Sequence, residues 1–275
     1  MNDLNEWSAA ADDFTKVMNS KGLFAQFSCD MLDMTIPNVE KSLRVLDVAC
    51  GAGSLTIQAA ERVSQHHGTV VAVDILQTML DRLSANLATQ NLQNVELHCL
   101  NGEDMYSLEP ESFDFAYSSF GVNIFKDRQK GISEMYRLLK PGGIASISTV
   151  DRDWVEYEMV RDAFEELGEK RDIPDEILSK QTTLDDKELM DLYINAGFKS
   201  VEIHRSTRVE MMNLDTLIDF FKSPIFAALA EAIPESKRHL ILPTIKKQLL
   251  EKYKCDIVPF EGTCVISIGT KGNHQ

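Results

Sequence analysis

A chain of 275 residues, 44% apolar and 26% charged, can bury a full core as one large α/β domain or two small ones. Its 28 basic and 43 acidic side chains leave a net charge of −15, a surface that repels a phosphate backbone and disfavours a nucleic-acid partner. Five cysteines without a CxxC pair argue against a disulfide framework; with no signal peptide and no run near the ~20 apolar residues of a membrane span, a cytoplasmic setting is expected.

Residues 1–41 predict an N-terminal helical cap, with Trp7, Phe14, Val17, Met18, Phe24, Phe27 and Met31 at near-helical spacing. A buried strand over 43–50 then runs into Gly51-Ala52-Gly53, and a helix follows from Ser54 to about His66, broken by Gly68. Strands are predicted over 70–73, ending in Asp74, and over 95–100, with a helix over 77–90 between them. A fourth strand spans 113–120. A helix over 128–139 stops at the turn Lys140-Pro141-Gly142-Gly143, and 144–150 forms a fifth strand. This alternation implies right-handed βαβ units in a parallel sheet, and continuous apolar strands such as Val70–Val73 suit a sheet covered on both faces.

Beyond Asp151 the alternation lapses. Residues 152–182 and 213–260 predict helical lid insertions. Between them stand a helix over 185–196 closed by Gly197 and a strand over 201–209; a last strand spans 263–268. The expected architecture is one α/β domain over 1–275: a core over 42–151, completed by 183–212 and 261–272, with the cap and the two insertions around it.

Open α/β sheets take ligands at the carboxyl ends of their strands. The turn after the first strand reads Asp47-Val48-Ala49-Cys50-Gly51-Ala52-Gly53, and an acid before the glycines suits a ligand with a positive amine better than a pyrophosphate. Asp74 ends the second strand, where a carboxylate can accept both hydroxyls of a ribose; with Gln77 three residues on, it also fits the N-cap of the next helix. Thr56 stands where a third glycine would complete GxGxxG, which disfavours a dinucleotide. The histidines, among them His66, His67, His98, His204 and His239, show no metal-ligand spacing, so no metal is expected.

The stretch Val45–Gly53 resembles motif I of class I S-adenosylmethionine (SAM)-dependent methyltransferases. Val71-Ala72-Val73-Asp74 is similar to their acidic second motif, Met79-Leu80 to the apolar pair after it, and Gly102-Glu103-Asp104-Met105 to their third-strand loop. Ser112–Val122, Leu138–Gly143 and Leu189–Phe198 match the fourth strand, the turn before the fifth and the last helix. Within the class, Ser-Ser-Phe-Gly-Val followed by Phe125-Lys126-Asp127 resembles the ubiquinone/menaquinone-biosynthesis and small-molecule group.

The resemblance implies a Rossmann-like, seven-stranded, mostly parallel sheet with helices on both faces, and SAM as cofactor. The implied cofactor contacts are Asp47, Ala49, Gly51, Gly53, Asp74, Ile75, Met79, Gly102, Glu103, Asp104, Met105, Ser118 and Phe120, with either Glu103 or Asp104 as the acid that meets the adenine. The acceptor pocket is expected over the fourth and fifth strands, near Ser119, Asn123, Asp151, Trp154 and Tyr157. A lid rich in Phe, Met and Leu predicts a small apolar or aromatic acceptor. A non-catalytic SAM-binding regulatory module and an NAD-dependent oxidoreductase are the alternatives, and no catalytic base is identified.

Overall fold

Valine- and leucine-rich segments become strands here because both of their faces are covered. In β1 (Arg44–Val48), Val45 points into one apolar layer while Leu46 and Val48 point into the other; in β2 (Thr69–Asp74), Val70 and Ala72 oppose Val71 and Val73 in the same way. The computed structural model describes residues 22–151, 155–173, 184–222 and 228–273.

The first described helix, α1 (Leu23–Thr35), precedes β1. Then come α2 (Thr56–Ser64), β2, α3 (Gln77–Thr89), β3 (Val95–Cys99), β4 (Phe113–Ser119), a 3₁₀ turn over Val122–Ile124, α4 (Arg128–Leu138) and β5 (Leu139–Val150). The remainder comprises α5 (Val155–Glu166), α6 (Asp186–Ala196), β6 (Ser200–Asn213), α7 (Leu214–Phe220), a 3₁₀ turn over Ala228–Ala232, α8 (Glu235–Arg238), α9 (Ile241–Tyr253) and β7 (Ile257–Thr270).

The seven strands form one sheet in the order β3-β2-β1-β4-β5-β7-β6, parallel except where β7 runs against β5 and β6. Residues of α1, α2 and α5 share one core layer, residues of α4 and α6 the other. The order reverses at β1, so the gap between the carboxyl ends of β1 and β4 is the switch point where such sheets bind ligands.

Several expected boundaries shift for local reasons. Lys140-Pro141-Gly142-Gly143 does not end the sheet edge as a free turn. It lies within β5 as an irregularity, with Phe113 opposite Leu139 and Phe115 opposite Ile144. The α6 helix has a capping box between Asp185 and Glu188 and ends at Gly197 in the left-handed region.

The last two strands outrun the sheet. β7 pairs with β5 from Cys264 to Thr270 but with β6 from Ile257 to Thr270. Residues 257–263 and 207–213 therefore extend as a two-stranded ribbon, and the helices over 214–253 are inserted at its far end. The ribbon also fastens α1. Arg208 forks onto both oxygens of Asp30, Ser206 Oγ donates to Asp30 Oδ2 at 2.5 Å, and Glu210 Oε2 accepts from Leu23 N at 2.6 Å.

Candidate active site

At the end of β1 the backbone leaves extended geometry abruptly. Ala49 (φ 59°), Gly51 (φ 53°) and Gly53 (φ 100°) all lie in the left-handed region. A Cβ on Gly53 would stand 2.4 Å from Leu83 Cδ1, so the turn packs directly on α3 there. A Cβ on Gly51 would meet nothing within 4 Å, so this side of the turn is open.

Two carboxyl groups frame that opening. Asp74 accepts Gly51 N–H on Oδ2 and Leu76 N–H on Oδ1, each at 2.9 Å, which binds the end of β2 to the glycine turn. The expected helix-capping role is not what the structure shows: α3 starts after Leu76, without a side-chain cap, and Asp74 holds the residues that precede it. Asp47 is buried, and its Oδ2 accepts from Thr56 Oγ1 at 2.5 Å while its Oδ1 has no partner among the described residues. Burial raises the Asp47 carboxyl to about 7, and the nearby Asp74 charge adds to the rise against the Thr56 hydrogen bond. The Asp74 carboxyl is raised by burial too, opposed by its bonds to Leu76, Gly51 and Ile75.

The other implied contacts divide. Ile75 is exposed beside Asp74, whereas Met79 is buried in α3. Gly102 is buried beneath Phe125; Glu103 Oε1 accepts from Lys126 N at 2.6 Å, and Asp104 is exposed. The Met105 side chain lies wholly in the core with Val71, Val73 and Leu108, facing away from open space. Ser118 is engaged on both sides, donating to Val48 O at 2.9 Å and accepting from Val122 N at 3.1 Å. It thereby braces the β1 and β4 turns, which touch where a Cβ on Gly121 would come within 2.5 Å of Ala49 Cβ.

Phe120 (φ 59°) turns the chain at the end of β4. Its ring lies 5.0 Å edge-on from Phe24 and 5.9 Å from Phe27; Phe24 in turn meets Phe220, which meets Phe260. An aromatic wall thus runs from the end of β4 through α1 to α7 and β7. Ser119 Oγ lies 3.2 Å from Ser28 Oγ and 3.4 Å from Ser148 Oγ, so three hydroxyls meet where β4, β5 and α1 converge. Asn123 is buried, with no partner for its Oδ1 among the described residues, and Tyr157 is buried in α5. Asp151 bonds instead to Arg205, which also holds Asp186; Trp154 lies outside the described residues.

Reading the sequence missed Thr56, Ser28 and Ser148. Thr56 carried a signal, a hydroxyl residue where the third glycine was absent; the two serines carried none, since their meeting depends on packing of α1 on β4 and β5. Among the described residues no group of His, Cys, Asp and Glu could hold a metal, and no helix is long and apolar enough to cross a membrane.

Comparison with known proteins gives the family and the fold. A family model described as the ubiE/COQ5 methyltransferase family matches residues 15–174. A demethylmenaquinone methyltransferase of Oceanobacillus iheyensis is 29% identical over 188 residues, 62% of this chain and 75% of that protein. One from Listeria monocytogenes is 34% identical over 133 residues, 48% of this chain and 55%, about half, of that protein. Among solved structures, a Bacillus halodurans protein superposes with a TM-score of 0.60 at 18% identity, covering 90% of this chain and all of the other. Haemonchus contortus phosphoethanolamine N-methyltransferase 2, solved with phosphomonomethylethanolamine and S-adenosylhomocysteine, gives 0.58 at 20% identity, covering 96% of this chain and 57% of that one.

Proposed function

The chain belongs to the ubiE/COQ5 methyltransferase family and is a SAM-dependent methyltransferase; from that premise we propose that it methylates a small, largely apolar or aromatic acceptor. The observation that carries the acceptor class is the wall of Phe120, Phe24, Phe220 and Phe260 beside the carboxyl ends of β4 and β5.

The turn residues fit the cofactor. The spare, buried oxygen of Asp47 suits the amino group of SAM, an unpaired acceptor beside a cation. Gly51 leaves room for the ligand against the backbone, and Asp74, held by Gly51 and Leu76, is aimed to take ribose hydroxyls. Ile75 and Met79 flank the adenine, with Glu103 or Asp104 at its amino edge. We read Met105 and Ser118 as supports of the loops they bridge, and Phe120 as the joint between cofactor and acceptor sites.

When bound, SAM supplies an electrophilic methyl on a cationic sulfur with a neutral leaving group. The chain's task is then alignment and exclusion of water, which a fixed turn and an aromatic wall perform. Ser119, Ser28 and Ser148 offer hydrogen bonds to a polar atom on an otherwise apolar acceptor. The same reading includes a cytoplasmic setting, supported by five free cysteines, and no nucleic-acid partner, supported by the charge of −15.

The test is transfer of labelled methyl from SAM to an acceptor panel. It includes demethylmenaquinone, the compound in the relatives' names, as quinone and quinol, with simple phenols and phosphoethanolamine. Label on the ring compounds is expected; turnover of phosphoethanolamine alone would overturn the acceptor class.

A further inference from the structure

The first turn of α5 contains a carboxyl group that the cofactor site does not use. Glu156 is 2% exposed, and its Oε2 has no hydrogen-bond partner among the described residues. On the helix it shares the inward stripe with Val160 and Ala163, one residue from Tyr157; all three neighbours belong to the apolar layer that includes Phe24, Phe27 and Phe220. Burial pushes this carboxyl well above the ordinary carboxylate range.

Its position is bounded by the sheet. Asp151 N donates to Thr263 O at 3.2 Å, which fixes the carboxyl end of β5. Five residues further, Glu156 lies within at most about 18 Å of that point. This is the end of the sheet where Ser148 and Ser119 meet and where Asn123 keeps a second unpartnered buried oxygen.

A carboxyl oxygen left without a partner in an apolar layer opposes folding, and an alkyl side chain of similar size would fill the place at lower cost. Its retention makes sense if the partner arrives with the substrate. We propose that the buried, unpartnered oxygen of Glu156 meets the hydroxyl or carbonyl oxygen of the apolar acceptor; this rests on the acceptor class proposed above. A neutral carboxyl offers one donor and one acceptor, so it pairs with such an oxygen without burying net charge. Glu156 then selects ring compounds that bear oxygen from hydrocarbons of the same shape.

The experiment compares wild type with Glu156→Leu and Glu156→Gln for thermal unfolding, S-adenosylhomocysteine affinity and kcat/KM on whichever panel acceptor the wild type uses. Expected are an unfolding temperature for Glu156→Leu equal to or above wild type, and unchanged affinity for S-adenosylhomocysteine. Its kcat/KM should fall about 30-fold, mainly through KM, while Glu156→Gln stays within about fivefold of wild type.

A Glu156→Leu enzyme within about threefold of wild type would overturn the proposal. A loss of thermal stability in both variants would also overturn it, by showing a structural partner inside the chain. If Glu156→Gln is as impaired as Glu156→Leu, the neutral form is the wrong one and the proposal fails. Should wild type accept only phosphoethanolamine, the apolar-acceptor reading fails separately, and the variants are compared on that substrate. Should it accept nothing, the stability measurement alone decides: a destabilised Glu156→Leu refutes the proposal, a stabilised one supports it.

Discussion

The two halves of this site are built from different materials. Beside β1 and β2 the proposed ligand surface is backbone and carboxyl: three left-handed residues within five, and Asp74 pinned by two N–H groups. Beside β4 and β5 the proposed acceptor surface is rings and hydroxyls, drawn from α1, the ends of both strands and α7. The first half depends on a few residues at two neighbouring strand ends, whose backbone geometry and hydrogen bonds set the turn. The second depends on packing between segments far apart in the chain, where one side chain can be exchanged for another of similar volume. A constant cofactor and a variable acceptor call for that division.

Five substitutions and one change of pH probe the contrast. The largest effect is expected from Asp74→Ala, which removes the anchor of Gly51 and Leu76 together with the proposed ribose contact. S-adenosylhomocysteine affinity should fall about 100-fold or more by calorimetry. An affinity within threefold of wild type would return Asp74 to a purely structural role.

Gly53→Ala and Gly51→Ala separate fold from ligand inside the same turn. At Gly53 the new methyl meets Leu83 at 2.4 Å with φ of 100°, so stability should drop by about 2–4 kcal/mol in denaturant unfolding. At Gly51 the space is open, so only about 1 kcal/mol is expected from φ, while cofactor binding is lost. Equal stability losses would show that the open side of the turn is not a ligand cradle.

The pH response follows from Asp47. Its folded value of about 7 lies above the ordinary 3.8, so the folded chain holds the proton more tightly than the unfolded one. Its contribution therefore lowers the stability of the free protein as pH rises from about 4 to 7 and levels off above. Cofactor binding has the opposite slope, because a cationic amine needs the carboxylate. Affinity should be about tenfold weaker at pH 6 than at pH 8, and Asp47→Asn should flatten both curves. A pH-independent affinity in wild type would remove Asp47 from the amine site.

The smallest effect belongs to the clasp on α1. Arg208→Ala leaves buried Asp30 with Ser206 as its hydrogen-bond partner among the described residues; because Arg208 is 45% exposed, about 1–2 kcal/mol is expected, read as a lower unfolding midpoint. Acceptor turnover should suffer more than cofactor affinity, since α1 carries Phe24 and Ser28. The reverse order would mean that the helix belongs to the cofactor half.

The same division explains what could be read from the residues. The order of strands and helices from β1 to β5 and the glycine turn were legible because their signals are local: apolar runs, Gly51 and Gly53, an acid ending each of two strands. Asp74 was legible as an acid at a strand end, but its hold on Gly51, 23 residues earlier, was not. Thr56 looked like a missing glycine until its hydroxyl was seen on Asp47. Ser28 with Ser119, and Glu156 in its apolar layer, left no trace in spacing, because tertiary packing alone creates those neighbourhoods.

The ribbon that fastens α1 also has a consequence in time. Asp30 and Arg208 stand 178 positions apart, and Leu23 and Glu210 stand 187 apart. As the chain emerges during synthesis, β1 to β5 are complete long before the strand that holds α1 exists. The turn proposed to hold the cofactor can therefore form early, while the aromatic wall waits for almost the whole length to be made. A nascent chain stopped before residue 200 would present Phe24 and Phe27 unclasped, an apolar stripe open to chaperones until the last strands arrive.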